Sequence, residues 1–188
     1  KKADTMHGEN LLPALGSGDH SSLRSWALIG REVHVETARD CQLPYSMRSI
    51  RTADHLYIIN FTPDRAPMGD LLALEKGPMT FNELAGKTRL TYADVDAGPT
   101  KAWMILNQNK PEFKYHWNLG FGARPGEELY DLKSDAHQVK NLADDTKYKA
   151  VKAKLRAQLM AELKEHNDPR LNGDQFDYPP YCKEGLEK

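Results

Sequence analysis

Cysteine is scarce in this sequence. Cys41 and Cys182 are the two in 188 residues, far apart and too few for a metal-ligand set. They read as one buried thiol and one tail thiol, or as a disulfide if the tail folds back. No apolar run approaches the roughly 18 to 20 residues that span a bilayer, and no basic amphipathic helix carries aromatic anchors for a membrane surface. An excess of one charge is also missing. Twenty-six basic residues face 27 acidic ones, a net charge of -1, without the basic footprint of a nucleic-acid binder. Neither nucleic acid nor membrane is therefore an expected partner. No G-x-S-x-G, phosphate-loop or H-E-x-x-H pattern occurs, and there is no internal repeat. With Lys rather than Met at position 1 and no apolar stretch after it, the chain reads as a mature or cut product.

What is present is polar: 39% hydrophobic and 28% charged residues. That balance predicts a small core with long loops, or a buried face that meets something outside this chain. Residues 1–25 are rich in Gly, Ser, Asp and His around Leu11-Leu12-Pro13-Ala14-Leu15, and read as a linker with a short docking turn. From Trp26 the pattern becomes strand-like, with Val33 and Val35 alternating with polar neighbours. Ser46–Arg51 and His55–Phe61 read as adjacent antiparallel strands across Thr52-Ala53-Asp54. Prolines and glycines make 62–79 a long excursion. A weak helix is predicted at Phe81–Ala85 and another at Pro99–Gln108, the latter with Trp103, Leu106 and Ile105 inward. A loop of glycines and aromatics around Trp117–Gly122 then leads to a strand at Glu127–Leu132.

The best-defined element is a helix from about Thr146 to His166. Tyr148, Val151, Leu155, Leu159 and Leu163 form one stripe, Asp144 or Asp145 caps the start, and Asn167-Asp168-Pro169 stops the end. The lysines at 147, 149, 152 and 154 are its solvated side. The predicted class is α+β, a small antiparallel sheet packed against a long C-terminal helix. The predicted boundaries are 1–25 for the linker, 26–168 for the domain and 169–188 for an extended tail.

One cluster carries chemistry: Gly30-Arg31-Glu32-Val33-His34-Val35-Glu36. If the strand continues, Glu32, His34 and Glu36 share a face and Arg31 takes the other. A single histidine with two carboxylates is thin for a metal. His34 and Arg31 can donate charge-assisted hydrogen bonds to an anionic small molecule, and Glu32 can accept from hydroxyls. The plain alternative is a solvated edge strand. Arg48 is a further candidate, although a strand arginine can pair within its own sheet.

Three segments together resemble a known family. Glu128-Leu129-Tyr130-Asp131-Leu132, then Asp135 and Asn141-Leu142-Ala143, is similar to the closing E-L-Y-D-L…D-P…N-L-A signature of sulfatases, with Ala136 where the family usually has Pro. Gly30–His34, Tyr45–Arg51 and Leu56-Tyr57-Ile58 resemble the branch that contains heparan N-sulfatase (N-sulfoglucosamine sulfohydrolase), as does His166-Asn167-Asp168-Pro169 with the later Cys182 and Gly185. That branch usually shows Tyr-Pro-Met-Arg, where this chain has Ser46. The resemblance implies the C-terminal domain of an alkaline-phosphatase-like enzyme acting on sulfate esters or sulfamates of glycosaminoglycan sugars. It implies that calcium and the formylglycine made within C/S-x-P-S-R belong to a missing N-terminal domain, with no cofactor in this chain. Cys41 stands in Cys-Gln-Leu-Pro-Tyr, outside that pattern. The expected partners are the missing domain and a sulfated saccharide, met by His34, Glu32, Arg31 and Arg48, in an exported or lysosomal setting. A non-catalytic glycan-binding or scaffold module of the same descent is the alternative.

Overall fold

The computed structural model describes residues 8, 10–21, 23–71 and 77–172. At its centre is a four-stranded antiparallel sheet in the order β1-β2-β3-β4, formed by β1 (Trp26–Arg31), β2 (Met47–Thr52), β3 (His55–Asn60) and β4 (Glu127–Asp131). The α+β class expected from sequence is what is observed. The β2–β3 hairpin turns at Ala53-Asp54, where the Thr52 hydroxyl accepts from the Asp54 and His55 amides at 3.3 and 3.0 Å. β1 pairs with the other edge of β2.

Register explains the core. Leu28, Ile50, Tyr57 and Leu129 align across the four strands and point to the same face. Ile50, Tyr57 and Leu129 are fully buried there against Leu155, Leu159 and Leu163. Those leucines belong to the long helix Lys149–Glu165, which follows a single 3₁₀ turn at Thr146–Tyr148. Asp145 caps that turn by accepting from the Lys147 amide at 2.9 Å. After the helix Asn167 adopts φ 52°, a conformation that ends helices. Each buried leucine contributes about 1.5–3 kcal/mol, so this stripe fastens helix to sheet.

At the start of the expected tail, Pro169–Asn172 forms a 3₁₀ turn with Arg170 buried, and residues 173–188, with Tyr178–Tyr181, Cys182 and Gly185 among them, lie outside the described residues. In the linker the docking turn is a short helix, α1 (Leu12–Ser17), with Ala14 buried.

Among the described residues the excursion between β3 and β4 holds three more helices, α2 (Phe81–Gly86), α3 (Pro99–Leu106) and α4 (Lys114–Phe121), so the long terminal helix is α5. A Thr80–Glu83 capping box starts α2. Leu84, Tyr92, Ala102 and Ile105 make a second small core. Two expectations change here. Trp103 and Leu106 are 41% and 47% exposed, because α3 begins at Pro99 with Lys101, Ala102 and Ile105 turned inward. Trp103 instead meets Phe113 edge-on at 4.4 Å. The expected glycine loop is α4, where Trp117 and Phe121 lie one turn apart, stack at 4.5 Å and meet Tyr92 edge-on. That aromatic packing outweighs the weak helix propensity of Gly120.

Glu127 ties α5 to the sheet. Its carboxylate accepts from Tyr57, from Arg156 at 2.7 Å and from Lys152 at 3.3 Å. Burial raises its pKa, but the Tyr57, Lys152 and Arg156 contacts outweigh that and hold it below 4.5. The folded state therefore binds this proton less readily than the unfolded one. The contribution is present above the ordinary carboxyl range and is lost as pH falls through the depressed value. Glu127→Gln should lower the melting temperature at neutral pH, and the gap to wild type should narrow below pH 4.5. A gap that stays constant to about pH 3 would contradict this assignment.

Candidate functional site

β1 ends at Arg31, and the backbone then leaves the sheet. Glu32, His34 and Glu36 consequently do not share a strand face. The turn sends Arg31, Glu32 and His34 to three different environments.

Glu32 turns inward. Its carboxylate accepts from the Ser46 hydroxyl at 2.9 Å, Arg48 Nη1 at 2.7 Å and Arg170 Nε at 3.0 Å, with Arg170 Nη2 closer still. Arg48 also forks onto Asp168, with Nε and Nη2 donating at 2.7 and 3.1 Å. Asp168 accepts the Arg170 amide as well, at 2.9 Å. Two carboxylates and two guanidiniums thus interlock the end of β1, the middle of β2 and the chain after α5. Gly30 makes room for this arrangement, since a Cβ there would stand 3.1 Å from Arg48 Cδ. Burial alone would lower the Arg48 pKa, but Asp168 and Glu32 more than offset it and the value lies above the ordinary one. Glu32 and Arg48 thus make these contacts within the protein.

Arg31 points to the opposite sheet face. Its Nη2 donates to the Pro67 carbonyl at 3.0 Å, and its guanidinium lies 5.1 Å from the centre of the Tyr45 ring. Burial lowers its pKa, and the field of Asp94 opposes the shift.

His34 is the outermost of the group, its side chain 59% exposed. Its Nδ1 sits 3.5 Å from Asp94 Oδ1, which leaves Nε2 turned away from the protein contact. Asp94 is itself held: Oδ1 accepts from the Val35 amide at 3.1 Å and Oδ2 from Arg39 Nη2 at 2.8 Å. Arg39 is buried and also donates to the Ala66 and Pro67 carbonyls. The loop carrying Asp94 is gathered from below by Lys101, whose ammonium donates to the Thr88, Tyr92 and Val95 carbonyls at 3.0, 3.1 and 2.7 Å. Burial depresses the Lys101 pKa, opposed by Asp96. His34 is therefore displayed on a braced platform, suited to donating to an anionic group or a sugar hydroxyl.

Cys41 is disulfide-bonded rather than a free thiol, with φ 53°. Among the described residues no three His, Cys, Asp or Glu side chains converge as metal ligands. Asp94, Arg39 and Arg170 carried no sequence signal because their partners lie far along the chain, and Lys101 carried none because its partners are backbone carbonyls. Asp168 was seen only as part of a helix stop.

No family model matches the chain, and no curated protein matches it. Among solved structures, a candidate sulfatase from Bacteroides thetaiotaomicron VPI-5482 shares the fold at TM-score 0.51 and 17% identity, over 95% of this chain and 24% of that one. BT4656, in complex with its substrate D-glucosamine-2-N,6-O-disulfate, aligns at TM-score 0.48 and 15% identity, over 95% of this chain and 23% of that one. The chain thus spans about a quarter of the length of these structures, and what it shares with the first is the fold of that part.

Removing one member of the ionic network leaves a buried charge uncompensated. Glu32→Gln or Arg170→Met should cost about 3–5 kcal/mol in urea unfolding. His34→Ala should stay within about 0.5 kcal/mol of wild type. Equal and small effects from all three would show that the network does not hold the loop.

Proposed function

We propose that this chain is the C-terminal domain of a sulfatase acting on sulfate esters or sulfamates, with N-sulfated amino sugars of glycosaminoglycans as the substrate class and heparan N-sulfatase as the nearest branch. The observation that carries this reading is how the two parts of the sulfatase-like signature engage each other. Asn141 accepts from the Leu129 amide at 2.9 Å and the Ala143 amide at 3.0 Å, and donates to the Glu127 carbonyl at 3.1 Å. The Leu142 amide donates to the Leu129 carbonyl at 2.8 Å. The motif is a stitch that fastens the segment before α5 to β4, which gives these residue types at this spacing a physical reason. The likeness in fold to part of a candidate sulfatase supports the same reading.

In this reading the reacting centre, its calcium and its formylglycine belong to a preceding domain of the parent enzyme. The present domain borders the pocket. His34 reaches the substrate through Nε2, while Glu32 and Arg48 brace the loop from within and Arg31 is held on the opposite sheet face by the Pro67 carbonyl. The disulfide at Cys41 suits an oxidising compartment, exported or lysosomal.

The purified 188-residue chain should show no turnover of an aryl sulfate, and measurable turnover would refute the assignment of chemistry to another domain. Joined to its preceding domain, the enzyme should lose about tenfold in kcat/KM on His34→Ala, mainly through KM, with an unchanged melting temperature. Unaltered kinetics would remove His34 from the pocket. Tight binding of a sulfated disaccharide by a chain with no catalytic partner would favour the non-catalytic glycan-binding alternative.

A further inference from the structure

Cys41 is disulfide-bonded, and Cys182 is the one other cysteine in the sequence. The bond therefore has a single possible partner within the chain, in the segment that follows Asn172, the last described residue. The way back is short. Arg170 binds the Glu32 carboxylate, and the Glu32 carbonyl accepts from the Tyr45 amide at 2.9 Å. The stretch from Cys41 to Tyr45 covers at most about 15 Å of chain, whereas residues 173–181 can span about 30 Å. The segment has length to spare.

The backbone at Cys41 calls for an outside constraint. Cys41 and Gln42 both take left-handed angles, φ 53° and 58°. Neither is glycine, and side chains at such angles are crowded unless the surroundings hold them there. Upstream the loop is anchored: the Asp40 amide donates to Asp70 Oδ2 at 2.8 Å, and the Asp70 amide donates to the Ala38 carbonyl at 2.7 Å. Within the turn the bonds are local, from the Cys41 amide to Asp40 Oδ1 at 3.1 Å and from the Leu43 amide to the Asp40 carbonyl at 3.2 Å. Local bonds move with the turn. A covalent bond to a distant segment does not.

This turn adjoins the brace of the imidazole. Arg39, just upstream, donates to Asp94 Oδ2 at 2.8 Å, and Asp94 Oδ1 lies 3.5 Å from His34 Nδ1. Fixing Cys41 therefore limits the motion of Arg39, and with it the carboxylate that His34 faces. The ionic lattice secures the loop at Glu32, and the disulfide secures its far end. Both draw on the chain that follows α5.

We infer that residues 173–181 form a covalent strap, closed by a bond between Cys41 and Cys182, that fastens residues 36–43 and positions His34 through Arg39 and Asp94. A dithiol opens it. One thiolate attacks a sulfur of the bond, the second closes the reagent into a cyclic disulfide, and Cys41 and Cys182 take up the two electrons and two protons as thiols. The strap is a property of this chain and holds whether or not His34 serves a sulfatase pocket.

Peptide mapping of the 188-residue chain without reductant should give a cross-linked pair containing Cys41 and Cys182 from monomeric protein, with no free thiol in denaturant. Cys41→Ser, Cys182→Ser and the double variant should each melt about 5–15 °C below wild type. The double should melt no lower than the singles, since the same bond is lost in all three. In Cys182→Ser, and in wild type treated with dithiothreitol, amide exchange across residues 36–43 should accelerate about tenfold or more while the β2–β3 hairpin keeps its protection. The His34 ring signals should shift on reduction, whereas those of His55, edge-on to Tyr148, should stay in place. Cys41 linked to a second copy, a double variant less stable than both singles, unchanged exchange in residues 36–43, or His34 signals that ignore reduction would each overturn the assignment.

Discussion

The Glu32 carboxylate organises more of this domain than any other group. It receives Ser46, Arg48 and Arg170, and Arg48 in turn grips Asp168. The bonds to Arg170 join positions 138 residues apart in sequence. Burying two carboxylates with two guanidiniums is expensive unless every hydrogen bond is made, and here the donors and acceptors interlock. The gain is geometric. Leucine packing can hold α5 on the sheet, but it leaves the exit from β1 unspecified. The ionic lattice fixes that exit, and with it the divergence of Arg31 toward one face and His34 toward the rim.

Much of the scaffold was legible because its signals are local. Period-two alternation marked β2 and β3, and the three-and-four spacing of Tyr148, Val151, Leu155, Leu159 and Leu163 marked α5. The closing signature was read as a strand, a turn and a helix, and Asn141 supplies the hydrogen bonds that make it so. The aromatic helix α4 was not legible, since its stability comes from Tyr92 in a separate loop rather than from its own composition. The face of α3 was misread for a related reason: Lys101 faces inward and Trp103 outward, opposite to their hydropathy, because three backbone carbonyls accept the ammonium.

The candidate site was legible as a cluster of residue types but not as a geometry. Gly30–His34 is contiguous in sequence, so one shared surface was the natural expectation, and it required the strand to continue. The strand stops at Arg31. Glu32 and Arg48 then face each other inside the protein, while His34 is oriented by Asp94, 60 positions further along. Backbone carbonyls accept from Arg39, Arg31 and Lys101, and such bonds leave no residue-type pattern in sequence. They also brace the loop beyond β1, so Glu32 and His34 can be held without regular secondary structure.

One ionic lattice holds both the β1 exit loop and the segment following α5. Amide hydrogen exchange in wild type and Asp168→Asn tests this. Protection should fall together in residues 32–39 and 167–171 while the β2–β3 hairpin and the centre of α5 keep theirs. Loss confined to the segment after α5, with residues 32–39 unchanged, would contradict it.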